Sequence, residues 1–137
     1  MESHYDLSDD QFEMQFQTAK LPTSLFNHEA HVRLAWIHIN KYGCEIAIEN
    51  ITSQIMAYVI AIGETEKYNM TLTVAAVKAV NHFMQKSSSN NFPDFIAEFP
   101  RLNTNFRELI ALHYKMDIYH SAIAKREYVE PDLLPFT

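Results

Sequence analysis

The sequence is short of several things, and each shortage excludes something. It has one cysteine, Cys44, and two glycines, Gly43 and Gly63. A single thiol closes no internal disulfide, so a reducing, cytoplasmic setting is expected. No Asn-Gly or Asp-Gly pair is present, and no stretch alternates with period two, so the hairpin signals of a β protein are missing. The apolar run AYVIAI at 57–62 is far too short to span a bilayer. The opening stretch, MESHYDLSDDQFEM, has neither the basic region nor the apolar region of a secretory signal. Basic residues are scattered, with Lys78, Lys86, Arg101, Arg107, Lys125 and Arg126 forming no stripe, and the net charge is −6. Nothing here favours nucleic acid or an anionic membrane surface. There is no G-x-S-x-G, no P-loop and no dinucleotide fingerprint.

What is present is helical periodicity. The chain has 137 residues, of which 47% are hydrophobic. That length suits one domain, 1–137, able to bury roughly two-thirds of its unfolded surface. Ser8-Asp9-Asp10 starts a short helix with acids in its first turn. A second helix runs from near Asn27 to just before Gly43. A third covers about 44–62, with Cys44, Ile48, Ile51, Ile55, Tyr58 and Ile62 in steps of three and four. A fourth starts at Asn69 or Met70 and runs to about Lys86, with Thr73, Val77, Val80 and Met84 on its inner edge. The glycines stand where the second and third patterns stop. SSSNN at 87–91 breaks the chain, Pro93 opens a short helix, Thr104 caps another, and Ser121 caps a last turn through Arg126. The expected fold is all-α: a bundle of four main helices plus short C-terminal helices, with 1–7 and 129–137 irregular and His4 in a mobile tail.

The second helix, in FNHEAHVRLAWIHINKY at 26–42, carries three histidines. At about 100° per residue, His31 and His38 fall about 60° and 80° from His28, on one edge of an apolar face with Val32 and Ile39. Glu29, Arg33 and Asn40 point the other way, and Glu29 with Arg33 makes an i,i+4 pair suited to a solvated face. Imidazoles at i and i+3 can converge on one ligand, and histidine is the commonest transition-metal ligand. His38 lies about 10 Å along the axis from His31, too far to share one ion. HEAH is not the zinc-protease HExxH, and Asp117-x-x-His120 stands alone as a di-iron-like spacing. The plain alternative is that each histidine satisfies a nearby carbonyl. His113, on an apolar stripe, reads as a core histidine, and Cys44 as a small hydrophobe.

These residues resemble a family of small uncharacterised bacterial proteins with the pattern F-x-H-x-x-H-[LV]-x-[LV]-A-W. It is matched here by Phe26, His28, His31, Val32, Leu34, Ala35 and Trp36. A second motif, Y-H-x-T-[IL]-T, is matched by Tyr68, Thr71, Leu72 and Thr73. A third is matched by Tyr114, Ser121, Ala124, Lys125, Val129, Pro131, Asp132 and Leu133. The resemblance implies candidate positions and no reaction. Where the second motif has histidine this chain has Asn69, a poor ligand for zinc-like metals and a strong helix cap.

Two functional readings follow. The first is a small-molecule or metal pocket built from His28, His31, Tyr68, Asn69 and Thr73. His28 and His31 would be ligands to a divalent transition metal, and His31 the catalytic base in any acid–base chemistry. The second is a non-enzymatic interaction module, homodimeric, with structural histidines and a docking surface of Tyr119, Tyr128 and Phe136.

Overall fold

A computed structural model describes residues 3–136, and within them the protein is all-α. Its helices are α1 (Asp9–Gln17), α2 (His28–Tyr42), α3 (Cys44–Ala61), α4 (Met70–Met84), α5 (Phe92–Glu98), α6 (Arg101–Thr104), α7 (Phe106–Ala111) and α8 (Ala122–Arg126). No helix is long and apolar enough to cross a membrane among the described residues. The chain divides into two compact units, Met1–Tyr68 and Asn69–Thr137.

The first unit packs α1, α2 and α3 on one another, with α2 against α3 the largest contact. Helices α1 and α2 start where short polar side chains can take up the unpaired amides of a first turn. Ser8 and Gln11 form a reciprocal capping box on α1, and the Asn27 side chain accepts the Ala30 N–H at 2.9 Å. Gly43, at φ 86°, ends α2 and begins α3 in a conformation that side chains with a Cβ resist. Ile51, Ile55 and Tyr58 of the α3 stripe are buried. The core is aromatic at one end: Phe16 lies 4.9 Å from Tyr58 and 4.7 Å from Phe26, and the Tyr58 hydroxyl donates to the Leu21 carbonyl.

Two sequence expectations fail here, for one reason. Arg33 is not on a solvated face; it is 5% exposed. Nor is the chain before α1 a loose tail, since His4–Asp6 forms a 3-10 turn and His4 is buried. The guanidinium of Arg33 donates to the carbonyls of His4 (2.6 Å) and Leu7 (2.9 Å) and to Asp9 through two nitrogens (2.9 and 3.2 Å). It also lies 4.9 Å from the Phe12 ring. The face that i,i+4 spacing assigns to water is instead roofed by the segment 3–9. Residues 1, 2 and 137 of the expected tails lie outside the described residues.

The second unit packs α4 on α8 and α6 on α7. Thr73, Val77 and Val80 are buried, as the α4 stripe predicts. Asn69 caps α4, Asn91 caps α5 and Ser121 caps α8. Thr104 does not cap: it ends α6 and its hydroxyl donates back to the Pro100 carbonyl. The segment after α8 is non-helical, as expected, and it is pinned. Thr71 donates to the Glu127 carbonyl and accepts the Val129 N–H, and the Tyr114 hydroxyl donates to the Val129 carbonyl.

Arg33→Ala should unfold the first unit more easily by about 3 kcal/mol, because it strands buried carbonyls as well as an ion pair. Chemical denaturation of the variant beside the parent chain measures this.

Candidate functional site

The histidine edge of α2 is not one uniform surface. His28, the first helical residue, is exposed rather than buried, because the Asn27 cap leaves it at the open end of the helix. His31, one turn on, is half-buried, and its ring stacks on Phe26 at 4.1 Å with a 27° interplanar angle. Phe26 in turn belongs to the aromatic core with Phe16 and Tyr58. The F-x-H-x-x-H spacing therefore has a physical use: the phenylalanine before the cap holds the second imidazole in place. Burial pushes His31 down to about 4, with the neighbouring His28 charge adding to it. The ring is thus neutral through the physiological range, with one lone pair available and little basicity. Neither of its ring nitrogens bonds a described residue.

His38 is fully buried two turns further along. Its Nδ1 is 3.4 Å from the Asn50 amide nitrogen of α3, and its Nε2 has no partner among the described residues. Burial lowers its pKa despite the nearby Glu13 carboxylate. His38 thus stands apart from His28 and His31, as the axial rise of the helix requires.

The remaining predicted residues have visible structural work. The Asn69 carbonyl oxygen accepts the Leu72 N–H at 2.9 Å, and its amide donates to the Ile118 carbonyl at 2.8 Å. The Thr73 hydroxyl donates to the Asn69 backbone carbonyl at 2.8 Å. Asn69 and Thr73 are therefore joined to each other at the start of α4, with their polar groups engaged inside the second unit. Tyr68, half-buried, closes the first unit, and burial raises its phenol. No group of three or more His, Cys, Asp or Glu side chains able to enclose a metal occurs among the described residues.

The proposed aromatic docking surface is not open. Phe136 is buried against the His113 ring at 4.1 Å, Tyr119 is half-buried under the Arg107 guanidinium at 4.1 Å, and Tyr128 is half-buried under Lys78 at 4.9 Å. Each ring found a cation or a ring partner that sequence spacing does not reveal.

Two constellations were missed. One is a cleft of about 240 Å³ lined by Asp10, Glu13, Met14, Gln17, Lys41 and Tyr42. Within it Lys41 donates to Asp10 and Glu13, both at 2.6 Å, and the Tyr42 hydroxyl donates to Glu13 at 2.6 Å. Burial alone would raise Glu13; the bonds from Lys41 and Tyr42 outweigh it and hold the carboxyl below its ordinary range. The cluster satisfies itself and ties α1 to the end of α2. The other is His4 with Glu29 and Arg33, whose only sequence signal is a lone arginine inside the apolar run HVRLAWIHI.

Comparison with protein-family models, with characterised proteins and with solved structures gave no match.

An NMR titration of the ring protons should place His31 near 4. The folded value lies below the ordinary 6.5, so the unfolded chain takes the proton first. The contribution of this group is complete above 6.5 and is lost as pH falls toward 4. A His31 that titrates near 6.5 in the folded protein would contradict this.

Proposed function

We propose that the protein is a small cytoplasmic binding protein that takes its ligand at His28 and His31, at the amino end of α2. The observation that carries this is the state of His31. Phe26 orients the ring and burial keeps it neutral, yet no described residue uses either ring nitrogen. Histidines with a structural role elsewhere in the chain show it: His4 is bonded to Glu29 and Arg33, His113 to the Leu134 carbonyl and His120 to Asp117.

Two imidazoles a turn apart, that of His31 kept neutral by burial, suit a divalent transition ion, and equally a small molecule with hydrogen-bond donors. For an ion they would supply two ligands, and the rest of the coordination shell would come from water or a co-ligand. The resemblance to small bacterial proteins through F-x-H-x-x-H belongs to the same proposal. The test is a calorimetric titration of untagged protein with Zn²⁺ or Ni²⁺. Binding should weaken at least as much as when a ligand's supporting shell is disturbed, about 10-fold or more, in His31→Ala and vanish in the double variant with His28→Ala. Binding that survives the double variant sinks the reading.

A second reading, a self-pairing interaction module, has one observation in its favour. Residues 50–63 contain no charged side chain, yet this part of α3 turns Ser53, Met56, Ala57, Ile60 and Ala61 to solvent, with Ile60 59% exposed. Large Met56 and Ile60 stand beside small Ser53, Ala57 and Ala61, so the face is complementary to itself and suits a two-fold pairing. Sedimentation at high protein concentration should then show a dimer that Ile60→Lys converts to monomer; a monomeric parent chain excludes it.

A further inference from the structure

We propose that His4 is a pH-sensitive latch: it locks the amino-terminal turn onto α2 as a neutral ring and lets go when its Nδ1 takes up a proton. Arginine has donors only, so the 3.2 Å contact between Arg33 and His4 Nδ1 requires a lone pair on Nδ1. The ring proton must then sit on Nε2, which donates to the Glu29 carboxylate at 2.8 Å. Two neighbours on α2, one turn apart, thus select one tautomer of one charge state.

Protonation changes only the Nδ1 side. Nε2–H keeps Glu29, while the new Nδ1–H points at a guanidinium nitrogen that has nothing to accept it with. A hydrogen bond becomes two cations in contact, in a ring that is 1% exposed. The groups facing His4 include Glu29 and Arg33 from α2, the Tyr5 ring beside it at 4.2 Å and the Phe12 ring from α1 at 6.0 Å; Asp9 shares the guanidinium. Glu29 favours the proton, and it already holds the opposite edge of the ring.

Burial lowers the His4 pKa, the Glu29 hydrogen bond raises it and the Arg33 charge lowers it, with a net value below 6.5. The neutral latch is therefore intact above 6.5, and its hold weakens as pH falls below that. What opens is the turn His4–Asp6, whose inner bonds run from Asp6 N–H to the Ser3 carbonyl and from Leu7 N–H to the His4 carbonyl. Asp9 keeps its own bonds to Arg33, so α1 stays docked while the segment before it frees the buried edge of Arg33.

Two measurements on the full chain decide it. Ring ¹⁵N shifts at neutral pH should report the Nε2–H tautomer for His4; an Nδ1–H tautomer overturns the proposal. Hydrogen exchange of the Asp6 and Leu7 amides, corrected for the intrinsic rate, should become about tenfold faster between about pH 7.5 and pH 5, the tenfold change that one unit of pH or pKa difference carries. His4→Gln can donate to Glu29 but cannot take up a proton, so its exchange should lose that pH dependence. Protection that does not fall in the parent chain, or that falls equally in His4→Gln, overturns it. Should His4→Gln loosen the turn at every pH, the ring shifts and the parent chain's exchange still give the answer.

Discussion

A guanidinium buried against apolar helix faces is costly unless its donors are used, and the first unit is arranged around meeting that demand for Arg33. Its neighbours in sequence, Val32 and Leu34, offer nothing polar. The acceptors come from the chain before and at the start of α1: the carbonyls of His4 and Leu7, the His4 ring and the Asp9 carboxylate. Meeting this need sets the path of residues 3–9, the tautomer of His4 and the position of α1 on α2. With α1 so placed, Glu13 falls within reach of Lys41 and Tyr42, which fastens the other end of the same helix pair. A planar fork of fixed donors suits this task better than a lysine, which could not span two carbonyls, a ring nitrogen and a carboxylate at once.

The histidines show how one side chain takes different roles according to what surrounds it. His4 is spent on both edges and is sensitive to charge because an arginine shares one of them. His31 is held by stacking rather than by hydrogen bonds, which fixes its orientation and leaves its nitrogens open. His38 is enclosed between α2 and α3 with one edge unsatisfied. His28 stands at an open helix end. Angular position on the helix groups three of these residues, yet their chemistry differs because burial changes steeply along the axis.

Much of the helical framework was readable in the sequence because it depends on local rules. Caps at Ser8, Asn27, Asn69 and Ser121 stand where short polar side chains precede apolar periodicity, and the stops at Gly43 and Gly63 stand where a positive φ is needed. The inward stripes of α3 and α4 follow from steps of three and four. Thr104 was misread because two short helices meet there, and the residue that could open one in fact closes the other. The candidate site was readable only in part. Spacing alone puts His28 and His31 one turn apart on α2. The structural engagement of Asn69 through the Ile118 carbonyl, the shielding of Tyr119, Tyr128 and Phe136, and the burial of Arg33 were not readable in the sequence.

The sequence by itself determined the all-α class, the bounds of the main helices and the pairing of His28 with His31 on one turn. Each of these is set by interactions between residues a few positions apart, which the order of residues encodes directly. Only the tertiary structure decided which polar side chains are spent and which are open. Partners of Arg33 lie 24 to 29 residues away, that of Asn69 49 away, and those of Thr71 56 and 58 away. Contacts across such distances arise from packing one helix on another and folding the ends of the chain over them. Desolvation then acts on whatever that packing encloses, which is why His31 is a neutral, unengaged imidazole and His4 a fully engaged one.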